Sequence, residues 1–172
     1  DGLQHYALQR DIEIAVIDGQ RRHGNGHLLP AGPLRELPQR LDSVDLVLNS
    51  GGEAREGEYA VSHSLGPARH LLSGQAQALS PFSSVHAVAG IGQPEKFFRA
   101  LEQAGLKLQR HPFADHHAFV ASDLKDMHGQ PILMTEKDAV KCMRFRDVRL
   151  WAVEYHAHMD EAAWAHISAR LD

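Results

Sequence analysis

Three short stretches of this chain gather side chains that could do chemistry together. Asp115-His116-His117 follows Pro112-Phe113-Ala114 in a segment that reads as a loop, so a carboxylate and imidazoles can turn toward one cleft. Such a group suits either holding a divalent cation or orienting a group that moves a proton. Pro30-Ala31-Gly32-Pro33-Leu34-Arg35-Glu36 is a stiff loop that delivers an arginine and a glutamate side by side. The guanidinium fork matches a phosphate, and the carboxylate matches the hard cation that travels with phosphates, although the same two residues could equally be an ordinary surface pair. Asp1, Gln4 and His5 form a third polar cluster, just ahead of an apolar strand, where phosphoryl-transfer folds hold Mg²⁺. Asp1-Gly2-Leu3-Gln4-His5 reads as the second half of a motif with no strand before it, so we expect an amino-terminally truncated chain.

Other features narrow the field. Gly90-Ile91-Gly92 follows a strand, but the third glycine of a dinucleotide fingerprint would fall on Glu95, whose charge opposes a phosphate at that helix start. The alternative is a tight turn that lets strand and helix approach. No Gly-x-x-x-x-Gly-Lys-Ser/Thr run occurs, so a P-loop phosphate cradle, if used, lies outside this sequence. The 13 histidines are scattered without ligand-like spacing. A net charge of −4 with no basic stripe argues against nucleic acid as a partner. The lone Cys142 cannot pair within the chain and suits a reducing, cytosolic setting. No apolar run approaches the ~20 residues that a spanning helix needs.

Positioning these residues falls to alternating elements. Residues 12–17 form a strand ending at Asp18-Gly19, followed by a loop over residues 20–33 and a short helix expected at 34–41 despite Pro38. Residues 44–49 are a buried strand, and 58–65 and 68–72 are two weaker extended segments separated by Gly66-Pro67. Residues 85–89 are a strand, Gly90-Ile91-Gly92 a turn, and Pro94 opens a helix whose Phe97, Phe98, Leu101 and Ala104 recur at helical spacing until Gly105 closes it. Strands follow at 106–110 and 132–134, then a helix capped at Thr135 and running to about Cys142, and a strand at 150–153. Asp160 caps a last helix with Ala163, Trp164, Ile167 and Leu171 on one face. The alternation predicts an α/β fold with a mainly parallel sheet and helices on both faces.

Six segments in order resemble the tetraacyldisaccharide 4'-kinase family, the lipid A 4'-kinases of Gram-negative bacteria. They are Asp1-Gly2-Leu3-Gln4-His5 with Arg10-Asp11, Ile14-Ala15-Val16-Ile17-Asp18, Leu29 through Glu36, Ala87-Val88-Ala89-Gly90-Ile91-Gly92, Phe113-Ala114-Asp115-His116-His117, and Met134 through Cys142. The resemblance implies a partial P-loop kinase core plus a smaller α/β lobe: residues 1–18 as core remnant and first hinge strand, 19–148 as the lobe, and 149–172 as return strand and helix packing on the core. It implies transfer of the γ-phosphoryl group of ATP, with Mg²⁺, to the 4'-hydroxyl of a tetraacyldisaccharide 1-phosphate in lipid A biosynthesis.

In that scheme Asp1 matches the second aspartate of the opening motif and helps hold Mg²⁺, and Gln4 and His5 line the same cleft. Arg35 and Glu36 match the phosphate-side and metal-side loop. His116 matches a histidine that supports an upstream aspartate acting as base. The partner is the glycolipid substrate, with no nucleic acid; the chain is a monomer, soluble by itself. Peripheral contact with the cytoplasmic face of the bacterial inner membrane would come through the amino-terminal part that the family adds.

Two other readings follow from the residues: a non-catalytic lobe that grips an anion or glycolipid, and an Asp-His-His metal-dependent phosphoesterase, which would need further strand-end aspartates. Since the phosphate loop, its lysine and the base all match positions before residue 1, the purified 172-residue chain should show no phosphorylation of the disaccharide above background in an ATP-dependent assay. Robust turnover by that chain alone would contradict the expectation.

Overall fold

Short β-branched runs become strands and amphipathic stretches become helices in the computed structural model of the chain, which describes residues 2–171. In chain order they are β1 (Ile14–Asp18), β2 (Leu46–Ser50), β3 (Glu58–His70), β4 (Ala76–Gln77), β5 (Ser84–Ala89), α1 (Pro94–Gln103), β6 (Lys107–Pro112), β7 (Ile132–Thr135), α2 (Glu136–Cys142), β8 (Leu150–Met159) and α3 (Glu161–Leu171). Short 3-10 turns lie at Gly2–Gln4, Pro38–Ser43, Ala121–Leu124 and Met143–Phe145. The chain divides into two compact units, residues 1–62 with 157–172 and residues 63–156. The breaks fall inside β3 and β8.

In the first unit β1 runs parallel to β2, with Ile14 opposite Leu46 and Asp18 opposite Ser50. The start of β3 continues the parallel pattern, Val47 facing Glu58. Leu46, Leu48, Val61 and Ala163 are buried together, and Ile14, Tyr59 and Ile167 pack against them. Asp160 caps α3 as expected, its Oδ1 accepting the Ala163 N–H at 2.7 Å. The expected apolar face of α3 is split: Ala163 is buried, while Trp164 is 56% exposed and Leu171 62%. The helix expected at 34–41 is instead the 3-10 turn Pro38–Ser43. Pro38 lacks an N–H and pushes Leu37 into an extended conformation, φ −66° and ψ 149°, so no helix can run through it.

In the second unit β5 pairs in parallel with both β6 and β7, and β7 with β8. The remainder of β3 lies beside β8 and carries the short antiparallel β4. The two extended segments expected around Gly66-Pro67 are one strand. A Cβ at Gly66 would overlap His156 Nε2, so the glycine admits a ring from β8 without breaking the ladder. The β5–α1–β6 unit is the predicted one, with Pro94 in its first turn and Phe97, Phe98 and Leu101 buried. Gly105, at φ 90°, ends it in a conformation that glycine adopts freely. Cys142 is buried, and burial pushes its thiol up to about 11, so it is a packing residue and not a nucleophile.

Two histidines meet inside this unit. His86 on β5 is buried, its Nδ1 lies 3.0 Å from His111 Nε2 on β6, and its Nε2 is 3.3 Å from the His128 carbonyl. Burial, and then the neighbouring His86, pull the His111 pKa below its ordinary value. A depressed histidine pKa means that the unfolded chain binds the proton first, so stability is lost as pH falls below about 6.5. Replacing His111 with Gln should flatten the decline in folding free energy as pH falls below about 6.5, measured by urea titration. Equal slopes for wild type and H111Q would contradict this.

Candidate functional site

A cavity of about 720 Å³ opens in the first unit, and Gln4, Arg35 and Glu36 all line it. Its walls come from the 3-10 turn at Gly2–Gln4, from β1, and from the loop that reaches Pro38. Of the residues singled out from sequence, these three are brought together. His5 is exposed and is not among the lining residues; its carbonyl accepts Arg10 Nη2 at 2.6 Å. Asp1 lies outside the described residues. His116 belongs to the second unit.

Sequence reasoning overlooked the groups that hold this cavity. Arg10 binds the Glu13 carboxylate, and Arg40 Nη2 reaches the other Glu13 oxygen at 2.7 Å. Arg40 Nε also lies 3.4 Å from Glu36 Oε2. Hydrogen bonds from Arg40, then Arg10, hold the Glu13 carboxyl below the usual carboxylate range. The spacing of Glu36 to Arg40, i to i+4, and of Arg10 to Glu13, i to i+3, was a legible signal. A third arginine, Arg22, has φ 49° and forks onto Glu58 at 2.9 and 2.5 Å. The Arg22 hydrogen bond, helped by Arg55 N–H and Asn49 Nδ2, overcomes burial and pulls Glu58 down to about 2. Arg22 and Glu58 are 36 positions apart, which no local pattern reveals.

In the second unit the Asp115-His116-His117 side chains take different partners. Asp115 lies 3.4 Å from Lys137 Nζ and 3.8 Å from His116 Nε2, while His117 Nε2 pairs with Asp123 at 2.9 Å. Burial alone would raise the Asp115 pKa, but the Lys137 hydrogen bond and the His116 charge together hold it below normal. His116 is 77% exposed and sits at φ 61°, a left-handed turn that presents its ring outward. Among the described residues no group of three or more His, Cys, Asp and Glu could hold a metal ion.

The turn beneath this loop is latched by a buried carboxylate. Asp138 is fully buried; its Oδ2 accepts the Gly90 N–H and the Thr135 hydroxyl, both at 2.8 Å, and its Oδ1 takes Lys141 Nζ at 3.0 Å. Thr135 Oγ1 accepts the Asp138 N–H in return, the predicted cap. A Cβ at Gly90 would meet Asp138 Oδ1 at 3.2 Å and the Ala114 carbonyl at 3.4 Å, so the glycine brings β5 against the residue preceding Asp115. Gly90 N–H is therefore committed to the protein, and Glu95 pairs with Arg110 at 2.9 Å, which agrees with a structural turn and not a nucleotide fingerprint.

Arginines and glutamates line this cavity, beside the parallel strands of an α/β scaffold. The family model described as "Tetraacyldisaccharide-1-P 4'-kinase" matches residues 1–172, and the chain belongs to that family. It is 49% identical to a tetraacyldisaccharide 4'-kinase of Nitrosococcus oceani, covering 99% of this chain and 51% of that protein. It is 48% identical to one of Methylobacillus flagellatus, covering 99% and 52%. The chain thus spans about half the length of the curated relatives it matches. In fold it is similar to the LpxK of Aquifex aeolicus, whose crystal structure is of an "apo" form in complex with ATP: TM-score 0.74, 21% identity, covering 99% of this chain and 56% of that one.

Replacing Asp138 with Ala strips an acceptor from Gly90, Thr135 and Lys141 at once and should cost about 3 kcal/mol of stability. Chemical denaturation measures this, and a loss below about 1 kcal/mol, the worth of an ordinary exposed pair, would contradict the latch.

Proposed function

We propose that this chain is the downstream part of an ATP-dependent kinase that phosphorylates the 4'-hydroxyl of a tetraacyldisaccharide 1-phosphate. The observation that carries the reading is the family match over residues 1–172, in a chain whose Gln4, Arg35 and Glu36 line one cavity together with Arg10, Arg22 and Arg40. Phosphoryl transfer asks a protein mainly for positioning and charge neutralisation. Arg35 supplies a planar fork to a phosphate, and Gln4 a neutral hydrogen-bonding amide on the same wall.

Mg²⁺ is usually held by one or two carboxylates together with substrate phosphates, so single carboxylates such as Glu36, and Asp1 by its match to the family, fit it without an all-protein cage. When bound with nucleotide it would neutralise charge on the phosphates. His116 keeps an exposed imidazole that can orient a carboxylate acting as base toward the sugar hydroxyl. We assign residues 1–18 and 149–172 to the kinase core and 19–148 to a smaller lobe. No described helix is long and apolar enough to cross a membrane, and we place the protein at the cytoplasmic face of the inner membrane with the glycolipid as its partner.

The phosphoesterase reading is disfavoured because His117 is paired with Asp123 and Asp115 with Lys137. The test uses a parent protein as long as the family relatives, assayed for transfer of labelled phosphate from ATP to the disaccharide. Wild type should transfer phosphate, and Arg35→Ala should lower kcat by about 100-fold, as loss of a phosphate-clamping charge does. Binding of ATP or glycolipid without transfer would favour the non-catalytic lobe and overturn the kinase.

A further inference from the structure

Gln4 and Glu36 can act on a ligand only if their segments hold still, and neither segment is rigid by itself. Gln4 closes a three-residue 3-10 turn whose own hydrogen bond is His5 N to Gly2 O at 3.3 Å, and the turn that follows is held by Leu8 N to His5 O at 3.0 Å. Such a turn is marginal without outside support. Glu36 sits in the loop that enters the Pro38–Ser43 turn.

The support comes from one connected set of charges. Arg10 turns its guanidinium inward: Nη1 to Glu13, and Nη2 to the carbonyls of Gly2 at 3.3 Å, Leu3 at 3.2 Å and His5 at 2.6 Å. Glu13 is the fixed post. Its backbone is bonded into the sheet, with Glu13 N donating to Asp45 Oδ2 at 2.8 Å, and Glu13 O accepting Asp45 N at 3.0 Å and Leu46 N at 3.3 Å. Asp45 is itself held by Arg170 of α3 at 2.5 Å. From that post Glu13 also holds Arg40, which braces on Ser43 Oγ at 2.6 Å and reaches Glu36 at 3.4 Å. The Arg10, Glu13, Arg40 and Glu36 side chains are each about four-fifths or three-quarters buried, 19 to 25% exposed, so water screens them only in part.

We propose that Arg10, Glu13 and Arg40 form a positioning relay that ties both the Gly2–Gln4 turn and the Glu36 carboxylate to the rim of the β1–β2 sheet. The relay presets the cavity for a phosphate-bearing ligand. The proposal rests on the kinase reading for its catalytic consequence but not for its mechanical one. In this scheme none of the three residues touches reacting atoms. Glu13 is shared by two cations, so removing its charge releases both segments at once. Arg10 and Arg40 are needed as forks, since lysine offers one point charge where each arginine spans two or more partners.

The experiment uses the parent protein with Glu13→Gln, Arg40→Gln and the double variant. Amide hydrogen exchange reports the turn, and steady-state transfer from ATP to the disaccharide reports the site. In E13Q, exchange at His5 and Leu8 should quicken by at least about tenfold while β2 amides keep their protection. The kcat should fall by about tenfold or more, with the KM for ATP within about twofold. Adding R40Q to E13Q should cost little more than either change alone, because both break one relay. Should E13Q fail to fold, Arg10→Lys keeps the charge, loses the carbonyl clamp, and is expected to give the same exchange change. Unaltered exchange at His5 and Leu8, an unchanged kcat per folded molecule, or fully multiplicative losses would each overturn the relay. If wild type transfers no phosphate the kinase reading falls, and the exchange data alone then decide the relay.

Discussion

Glu13 between Arg10 and Arg40 is the constraint on which the first unit's cavity depends. Two guanidinium charges brought close are stabilised by an anion between them, and Glu13 offers one carboxylate oxygen to each. Its backbone is part of the hydrogen bonding at the β1–β2 rim, so the charge pair is referenced to the most regular part of the unit and not to a loop. Partial burial lets such bonds carry geometry, because each partner that left would strand a half-desolvated charge. Arg22 and Glu58 repeat the arrangement at another wall, where Glu58 is fixed further by Asn49 and the Arg55 N–H.

The second unit solves a related problem with a fully buried carboxylate. Asp138 is tolerable there because both oxygens are occupied, by Gly90 N–H, Thr135 and Lys141. The consequence is local order at the turn after β5, against which Ala114 and then the Asp115-His116-His117 loop are laid. In the first unit Gln4, Arg35 and Glu36 line the cavity, and in the second His116 is exposed, while the Glu13 and Asp138 carboxylates are spent on the protein.

Much of this was legible in the sequence, for physical reasons that differ by element. The β5–α1–β6 unit announced itself through periodicity, Pro94 and Gly105, since local rules and tertiary packing agree there. Thr135 and Asp160 were readable as caps because a cap needs only its own neighbours. At 34–41 Pro38 overrides the helix expectation, and β3 runs on through Gly66-Pro67 because Gly66 admits a ring that arrives from His156. Arg35, Glu36 and Gln4, singled out through motif order, line one cavity, but Arg22 with Glu58 depends on a long-range meeting that sequence spacing does not encode.

The most direct measurement of the central claim is a crystal structure of the parent protein with a non-hydrolysable ATP analogue and Mg²⁺. The account predicts the terminal phosphate within hydrogen-bond reach of the Arg35 guanidinium, Glu36 on the metal side, and Glu13 still bridging Arg10 and Arg40. A nucleotide bound with its phosphates remote from Arg35, or a cavity in which Glu13 has released both arginines, would contradict it.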